Sequence, residues 1–331
     1  MRLLYVMDPM AGISADKDTT YAFLRAAEGR GHQNFHALVS DVYARGDRAF
    51  ARARQATGFG RWPEGGTPTL GAAADFAVDD FDAVFVRKDP PFDAAYLYLT
   101  QLLELTSTRV INRPRGLRDA NEKLYAMHFA KHMPTTLVSA DPARILAFAS
   151  EVGGHTVIKP LDGAGGTGVL MLRADDKNAR GLCDMLTFEG RRLAMVQQFL
   201  PSVSAGDKRV LLIGGRVLGA INRIARGDDF RSNIHVGGRV EPVEITADER
   251  ALIADITPKL AEDGLWFVGL DLIGGKLTEV NVTSPTGIQE LSTHLGRDVA
   301  VDVIEWVEGS AGASRDVEGS AKGSREGSSA G

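Results

Sequence analysis

Glu279 and Asn281 stand two apart in the run Gly269-Leu270-Asp271-Leu272-Ile273-Gly274-Gly275-Lys276-Leu277-Thr278-Glu279-Val280-Asn281. In a strand that spacing turns both oxygens to one sheet face. Asp271, on the partner strand of a hairpin turning at Gly274-Gly275, can supply a third oxygen donor. Hard donors of this kind suit Mg²⁺, which takes one or two carboxylates together with phosphate oxygens. Parity sets a condition. A strict two-residue turn pairs Ile273 with Lys276 and leaves Asp271 facing away from Glu279; a three-residue loop or a Gly bulge brings them to one face. The second geometry is the expectation. The plainer alternative is a polar hairpin face in water, and Val268, Leu270, Leu272, Val280 and Val282 argue against it because they make both strands largely buried.

A second group could handle phosphate. Lys159 closes the apolar run Val157-Ile158 and leads into Pro160-Leu161-Asp162-Gly163-Ala164-Gly165-Gly166. A lysine aimed from a strand end into a glycine-rich turn can neutralise phosphate while bare backbone N–H groups approach its oxygens. The same residues also read as a flexible hairpin loop beside a solvated lysine. Lys123, in Asn121-Glu122-Lys123-Leu124 on an expected helix, is weak by itself. Arginines stand in unusual places: Arg87 closes a buried strand ahead of Lys88-Asp89-Pro90-Pro91, Arg209 follows Asp207-Lys208, Arg223 ends a hairpin, and Arg231 and Arg239 flank Asn233–Gly238. Singly these are surface charges. Converging on a cleft they would bind carboxylates, which arginine does bidentately.

Several motifs match catalytic patterns without the context those patterns need. Gly163-Ala164-Gly165-Gly166-Thr167-Gly168 fits G-x-G-x-x-G, but Val169–Arg173 reads as a strand where a dinucleotide site needs a helix. His128 and His132 have a zinc-protease spacing, yet Phe129 stands where the Glu belongs. Gly327-Ser328-Ser329-Ala330-Gly331 fits G-x-S-x-G with no strand before it. Cys183 lies in a helical stretch and reads as a small core residue.

The elements that would carry these residues fall into two patterns. Runs at 2–7, 83–87 and 109–112 read as buried parallel strands, with a helix over 18–30 and a surface loop over 57–72. That half reads as an α/β domain, residues 1–122. A helix over 116–133, another near 141–152 and a strand at His155–Lys159 follow. Two Gly-Gly hairpins come next, Arg209–Ile213 with Arg216–Ile224 and Trp266–Ile273 with Lys276–Val282, giving an α+β domain over 123–308. Residues 309–331 are nearly all Gly, Ser, Ala and charges, and composition predicts a disordered tail. A length of 331 residues suits about two domains at roughly 150 residues each. A net charge of −5 lacks the basic footprint of a nucleic-acid protein. No stretch reaches about eighteen apolar residues, so no membrane span is expected. A lone cysteine excludes an internal disulfide and suits the cytoplasm.

Taken in order, Met7-Asp8-Pro9, Arg87-Lys88-Asp89-Pro90-Pro91-Phe92-Asp93, Asn121–Leu124, Lys159-Pro160-Leu161-Asp162-Gly163, Gly206–Val210, Val268–Asp271 and Glu279-Val280-Asn281-Val282-Thr283-Ser284-Pro285-Thr286 resemble the bacterial glutathione synthetases of the ATP-grasp superfamily, from residue 1 to about 307. The resemblance implies a preATP-grasp α/β domain and an ATP-grasp domain of two α+β subdomains that clamp ATP. It implies ATP-dependent joining of γ-glutamylcysteine to glycine through an acyl phosphate. Another ATP-grasp carboxylate–amine ligase, adding glutamate or making dipeptides, is the alternative. By matched position, Asp271, Glu279 and Asn281 would hold Mg²⁺ or Mn²⁺. Lys123, Lys159, Gly163, Gly165 and Gly166 would meet the phosphates, and Gln197, Gln198, Phe199, Leu200 and Asp207 the adenine and ribose. Arg209 would stabilise the acyl phosphate and oxyanion. Arg87, Arg209, Arg223, Ser284 and Thr286 would hold the peptide, with Asn233–Gly238 a second lid. A homotetramer is also implied.

Overall fold

Leu3 to Met7 are buried without a break, the pattern of a strand covered on both faces. They belong to β1 (Arg2–Met7), which pairs in parallel with β2 (Gln33–Ala37) and with β6 (Ala83–Arg87), while β7 (Arg109–Ile111) adds to β6. Crossover helices α1 (Thr19–Gly29) and α2 (Ala94–Leu103) complete the parallel half. The computed structural model describes residues 1–163, 165–225 and 239–310. Arg231, the Asn233–Gly238 stretch, Ala164 of the glycine loop, and all of the predicted tail beyond 310 lie outside the described residues.

The expected strand–helix alternation fails between β2 and β6. There β3 (Val42–Arg45), β4 (Arg48–Thr57) and β5 (Thr69–Ala77) form antiparallel hairpins, giving the order β3-β4-β2-β1-β6-β7 with β5 on β4. The predicted loop 57–72 accordingly shrinks to 58–68. These strands hide in the sequence because their inward side is alanine: Ala49, Ala51 and Ala53 are buried between exposed Arg48, Arg52 and Arg54, a period-two pattern of little apolar bulk.

A second sheet, order β10-β9-β11-β8, contains β8 (Thr136–Ser139), β9 (His155–Pro160), β10 (Leu170–Arg173) and β11 (Ala194–Gln198), with α4 (Pro142–Glu151) and α5 (Ala179–Leu186) packed on it. Here α3 (Pro114–Asp119) precedes α4 in the chain. Ile158, Ala194 and Val196 face the helices, in a cluster with Ile145, Leu172 and the buried Cys183. By strand parity Val157, Lys159, Met195 and Gln197 face the other way.

The third sheet, order β14-β13-β12-β15-β16, is antiparallel: β12 (Asp207–Ile213), β13 (Arg216–Ile224), β14 (Arg239–Pro242), β15 (Phe267–Ile273) and β16 (Lys276–Asn281). α6 (Ala247–Glu262), α7 (Ile288–Leu295) and a last helix, α8 (300–310), flank it. Two apolar clusters each draw on both the first and the third sheet. One joins Leu4, Val6, Val84 and Val86 to Val268, Leu270 and Val280, the other Leu3, Tyr5 and Phe23 to Leu211, Phe267 and Ile288.

Candidate active site

The β15–β16 hairpin turns at Gly274 and Gly275, with φ of 55° and 75°, the left-handed pair that a two-residue hairpin turn requires. Ile273 does pair with Lys276, so the turn is the strict one. The register then shifts between Asp271 and Leu272, and Thr278 is the extra residue. Its hydroxyl donates to the Asp271 carbonyl at 3.1 Å. Beyond this bulge Asp271 lies directly opposite Glu279, and Gly269 opposite Asn281. The expected common face is present; the bulge that makes it sits at Thr278 rather than at the turn glycines.

Across the sheet Arg209, Asp271 and Glu279 are successive partners on β12, β15 and β16. Arg209 binds Asp271 bidentately, Nε to Oδ1 and Nη2 to Oδ2, both at 2.8 Å, and its Nη1 reaches Thr286 Oγ1 at 3.2 Å. A Cβ on Gly269 would come within 3.1 Å of Pro285 Cβ and 3.5 Å of Arg209 Nε, so glycine leaves room for that guanidinium. Arg223 bridges Asp207 and Asp271, the latter at 2.9 Å. Burial pushes the Asp271 carboxyl up, but the two guanidiniums more than reverse this and hold it well below the usual carboxylate range. Asp207 goes the other way: burial, despite Arg223, raises it to about 6. Its Oδ1 is buried with no partner.

Both lysines face Glu279. Lys123 Nζ lies 2.9 Å from Glu279 Oε1 and also donates to the Gly163 carbonyl. Lys159 Nζ lies 3.4 Å from the carbonyl of the bulged Thr278, and burial lowers its pKa. Lys123 is not on the predicted helix 116–133, which is broken. α3 ends at Asp119, Ala120 leaves helical geometry with ψ of 85°, and the Asn121 side chain accepts from the N–H of Lys123 and Leu124 at 3.2 and 3.0 Å. A 3₁₀ stretch, Tyr125–His132, follows. The break frees the Glu122 carbonyl to accept from Val280 N–H at 3.0 Å, which a continuous helix would forbid. His132 on that stretch faces Asp255 at 2.8 Å.

Two cavities meet at Glu279. The first is lined by Lys123, Lys159, Gly163, Gly165, Gly166, Gln197, Gln198, Phe199, Leu200, Asp207, Asp271 and Glu279. The second, about 520 Å³, is lined by Arg87, Arg209, Arg223, Asn281, Ser284 and Thr286, and also by Gly165 and Glu279. Every residue singled out from the sequence at a described position thus borders one of the two. Three partners carry no motif of their own. Glu122 is one: its Oε1 accepts from Val282 N–H, Thr283 N–H and Thr283 Oγ1 at 2.8 to 3.0 Å and ties down the segment holding Ser284 and Thr286. Thr278 and Asp18 are the others. Only the position of Glu122 inside Asn121–Leu124 could have signalled it.

Two family models cover the chain, "Prokaryotic glutathione synthetase, N-terminal domain" over residues 1–118 and "Prokaryotic glutathione synthetase, ATP-grasp domain" over 122–296. The chain is similar to the protein named glutathione synthetase in Synechococcus elongatus, 44% identical over 320 residues, spanning 93% of this chain and 98% of that one. To its namesake in Rhodopseudomonas palustris it is 41% identical, with 93% and 98% covered. Among solved structures it resembles the D-cycloserine synthetase DcsG, with a TM-score of 0.65, 18% identity, and 94% and 99% of the chains covered. The ATP-grasp ligase PsnB in complex with a minimal precursor gives a TM-score of 0.60 at 18% identity, with 93% and 98% covered. These distant likenesses speak for a shared ATP-grasp fold.

Proposed function

The chain belongs to the prokaryotic glutathione synthetase family, and on that premise we propose that it joins γ-glutamylcysteine to glycine with ATP, releasing glutathione, ADP and phosphate. One observation carries the reading: a bulged β-ribbon turns Asp271 and Glu279 to one face where a glycine-loop cavity and an arginine-lined cavity meet.

A carboxylate carbon is electron-rich and its oxide leaves poorly, so it resists attack by an amine. Transfer of the ATP γ-phosphoryl group to the cysteinyl carboxylate gives an acyl phosphate, glycine's free amine attacks that carbon, and phosphate departs. Lys123 and Lys159 reach phosphate oxygens, and the glycine loop keeps water from the acyl phosphate. Gln197 to Leu200 and Asp207 take the base and ribose. Arg209 stabilises the charge developing on phosphate and oxyanion. Arg87, Arg223, Ser284 and Thr286 hold the peptide. Two carboxylates and an amide, all hard oxygen donors on one face, fit a divalent cation, so Asp271, Glu279 and Asn281 would hold Mg²⁺ or Mn²⁺. Such an ion supplies charge neutralisation at the phosphates. A single buried thiol suits a reducing cytoplasm, and among the described residues no helix is long and apolar enough to cross a membrane. The homotetramer is checked by light scattering.

The deciding experiment offers γ-glutamylcysteine with glycine, and with other amino acids in its place, and identifies the product by mass. Glutathione with stoichiometric phosphate is expected. Phosphate release only with a different amine or a different carboxylate would assign the chain to another carboxylate–amine ligation.

A further inference from the structure

The arginine-lined cavity has two poles. One, with Arg209, Glu279 and Asn281, is the reacting pole. The other lies where β1 and β6 end and α1 begins, and it carries charges of both signs. Arg87 there is 4% exposed. Its Nε and Nη2 are spent on Thr20 Oγ1 and the Pro285 carbonyl, both at 3.1 Å, and the rings of Phe23 and Phe267 lie 5.5 Å from its guanidinium. Nη1 is buried with no partner. Beside it stands Asp18, whose Oδ1 caps α1 through the Tyr21 N–H at 2.9 Å. Asp89 lines the same pole, and its carboxylate has no hydrogen bond or ion pair among the described residues. An N-cap alone would explain Asp18. It does not explain a second carboxylate facing the cavity, nor a fixed guanidinium with one nitrogen left over.

Resting on the activity proposed above, we infer that this far pole holds the α-carbon head of the γ-glutamyl group: Arg87 takes its α-carboxylate, and Asp18 with Asp89 takes its α-ammonium. The dipeptide's reacting carboxylate is at one end and a zwitterion at the other, and the cavity shows the matching order of charges. Glycine, the other zwitterion, must bring its amine to the reacting carbon and so cannot use this pole. Burial raises the Asp18 carboxyl above its ordinary value, as expected of an acid held from water and lacking a cation in direct contact. The pole therefore reads the γ-linkage, because only a γ-glutamyl residue carries a free amine and a free carboxylate on one carbon at that distance from the cysteine.

Asp18→Asn separates the readings, since asparagine caps a helix as well as aspartate and removes only the charge. Kinetics are run with γ-glutamylcysteine and with glutarylcysteine, which lacks the amine alone. The variant is expected to melt with the wild type and to raise KM for γ-glutamylcysteine about 10- to 100-fold, the scale of one charged hydrogen bond. Its kcat and glycine KM should stay within about 3-fold, and its handling of glutarylcysteine should match the wild type's. An unchanged KM, an equal loss with both compounds, or a rise in glycine KM overturns the inference. Calorimetry on the wild type, which needs no variant to fold, should show γ-glutamylcysteine binding tighter than glutarylcysteine by the same factor; equal binding also overturns it. Tight, amine-dependent binding without ligation would instead overturn the activity and leave this pole standing.

Discussion

Replacing Glu279 by Gln removes a charge and keeps the shape. Glu279 touches Lys123 and borders both cavities, so Glu279→Gln is expected to lower kcat by about 100-fold or more while ATP affinity, read by calorimetry, falls far less. Near-normal turnover would remove Glu279 from the phosphate chemistry. Arg209→Lys tests geometry at constant charge: an ammonium cannot reproduce the two 2.8 Å bonds to Asp271 and the reach to Thr286. A fall of roughly 100-fold in kcat is expected, with little change in substrate KM. At this scale the sequence is legible where residue type and spacing coincide, as in Glu279-Val280-Asn281 or the lysine before the glycine loop. Glu122 and Asp18 are illegible, because a single acid in a turn or at a helix start has too many ordinary uses.

The Thr278 bulge decides which way β16 faces. Thr278→Val keeps the branched shape but loses the hydroxyl bond to the Asp271 carbonyl, and is expected to lower stability by about 1 kcal/mol. Thr278→Ser should recover most of this in denaturant titrations. A hairpin at Gly274-Gly275 can be read from the alternating runs on either side; the bulge cannot, because it turns on one threonine reaching a carbonyl across the ribbon. The broken helix at 116–133 fails for a like reason. Its residues have helical periodicity, but Asn121 captures two N–H groups locally and the Glu122 carbonyl is claimed by β16, contacts that no propensity encodes. β4 and β5 escape notice because alanine gives their buried side so little apolar weight.

At the scale of the whole molecule, α8 is fastened back to the first sheet. Arg30 grips Glu308 through Nε and Nη2 at 2.9 and 2.7 Å, and His32 Nε2 lies 2.6 Å from Glu308 Oε1. Arg30 foremost, and then His32, lower the Glu308 carboxyl from 4.5 to about 2. A carboxyl depressed by folding stabilises the fold above its unfolded value, and that contribution is lost as pH falls from about 4.5 through about 2. The melting difference between wild type and Glu308→Gln is therefore expected to be constant from neutral pH down to about 5 and to shrink toward zero near pH 2. A difference that persists at pH 2 would place the stabilisation elsewhere. The distribution of apolar clusters has a consequence for motion. The sheets that hold the peptide and carry Asp271 and Glu279 are fused by common oil, whereas the layer bearing Lys159 and Gln197 keeps most of its grease to itself. That layer can rock like a jaw on a rigid skull, trading mainly water-facing contacts as it moves. Nucleotide can then come and go while the peptide's berth holds its shape, and deuterium uptake over 136–198 should outpace that of β1, β6, β12 and β15.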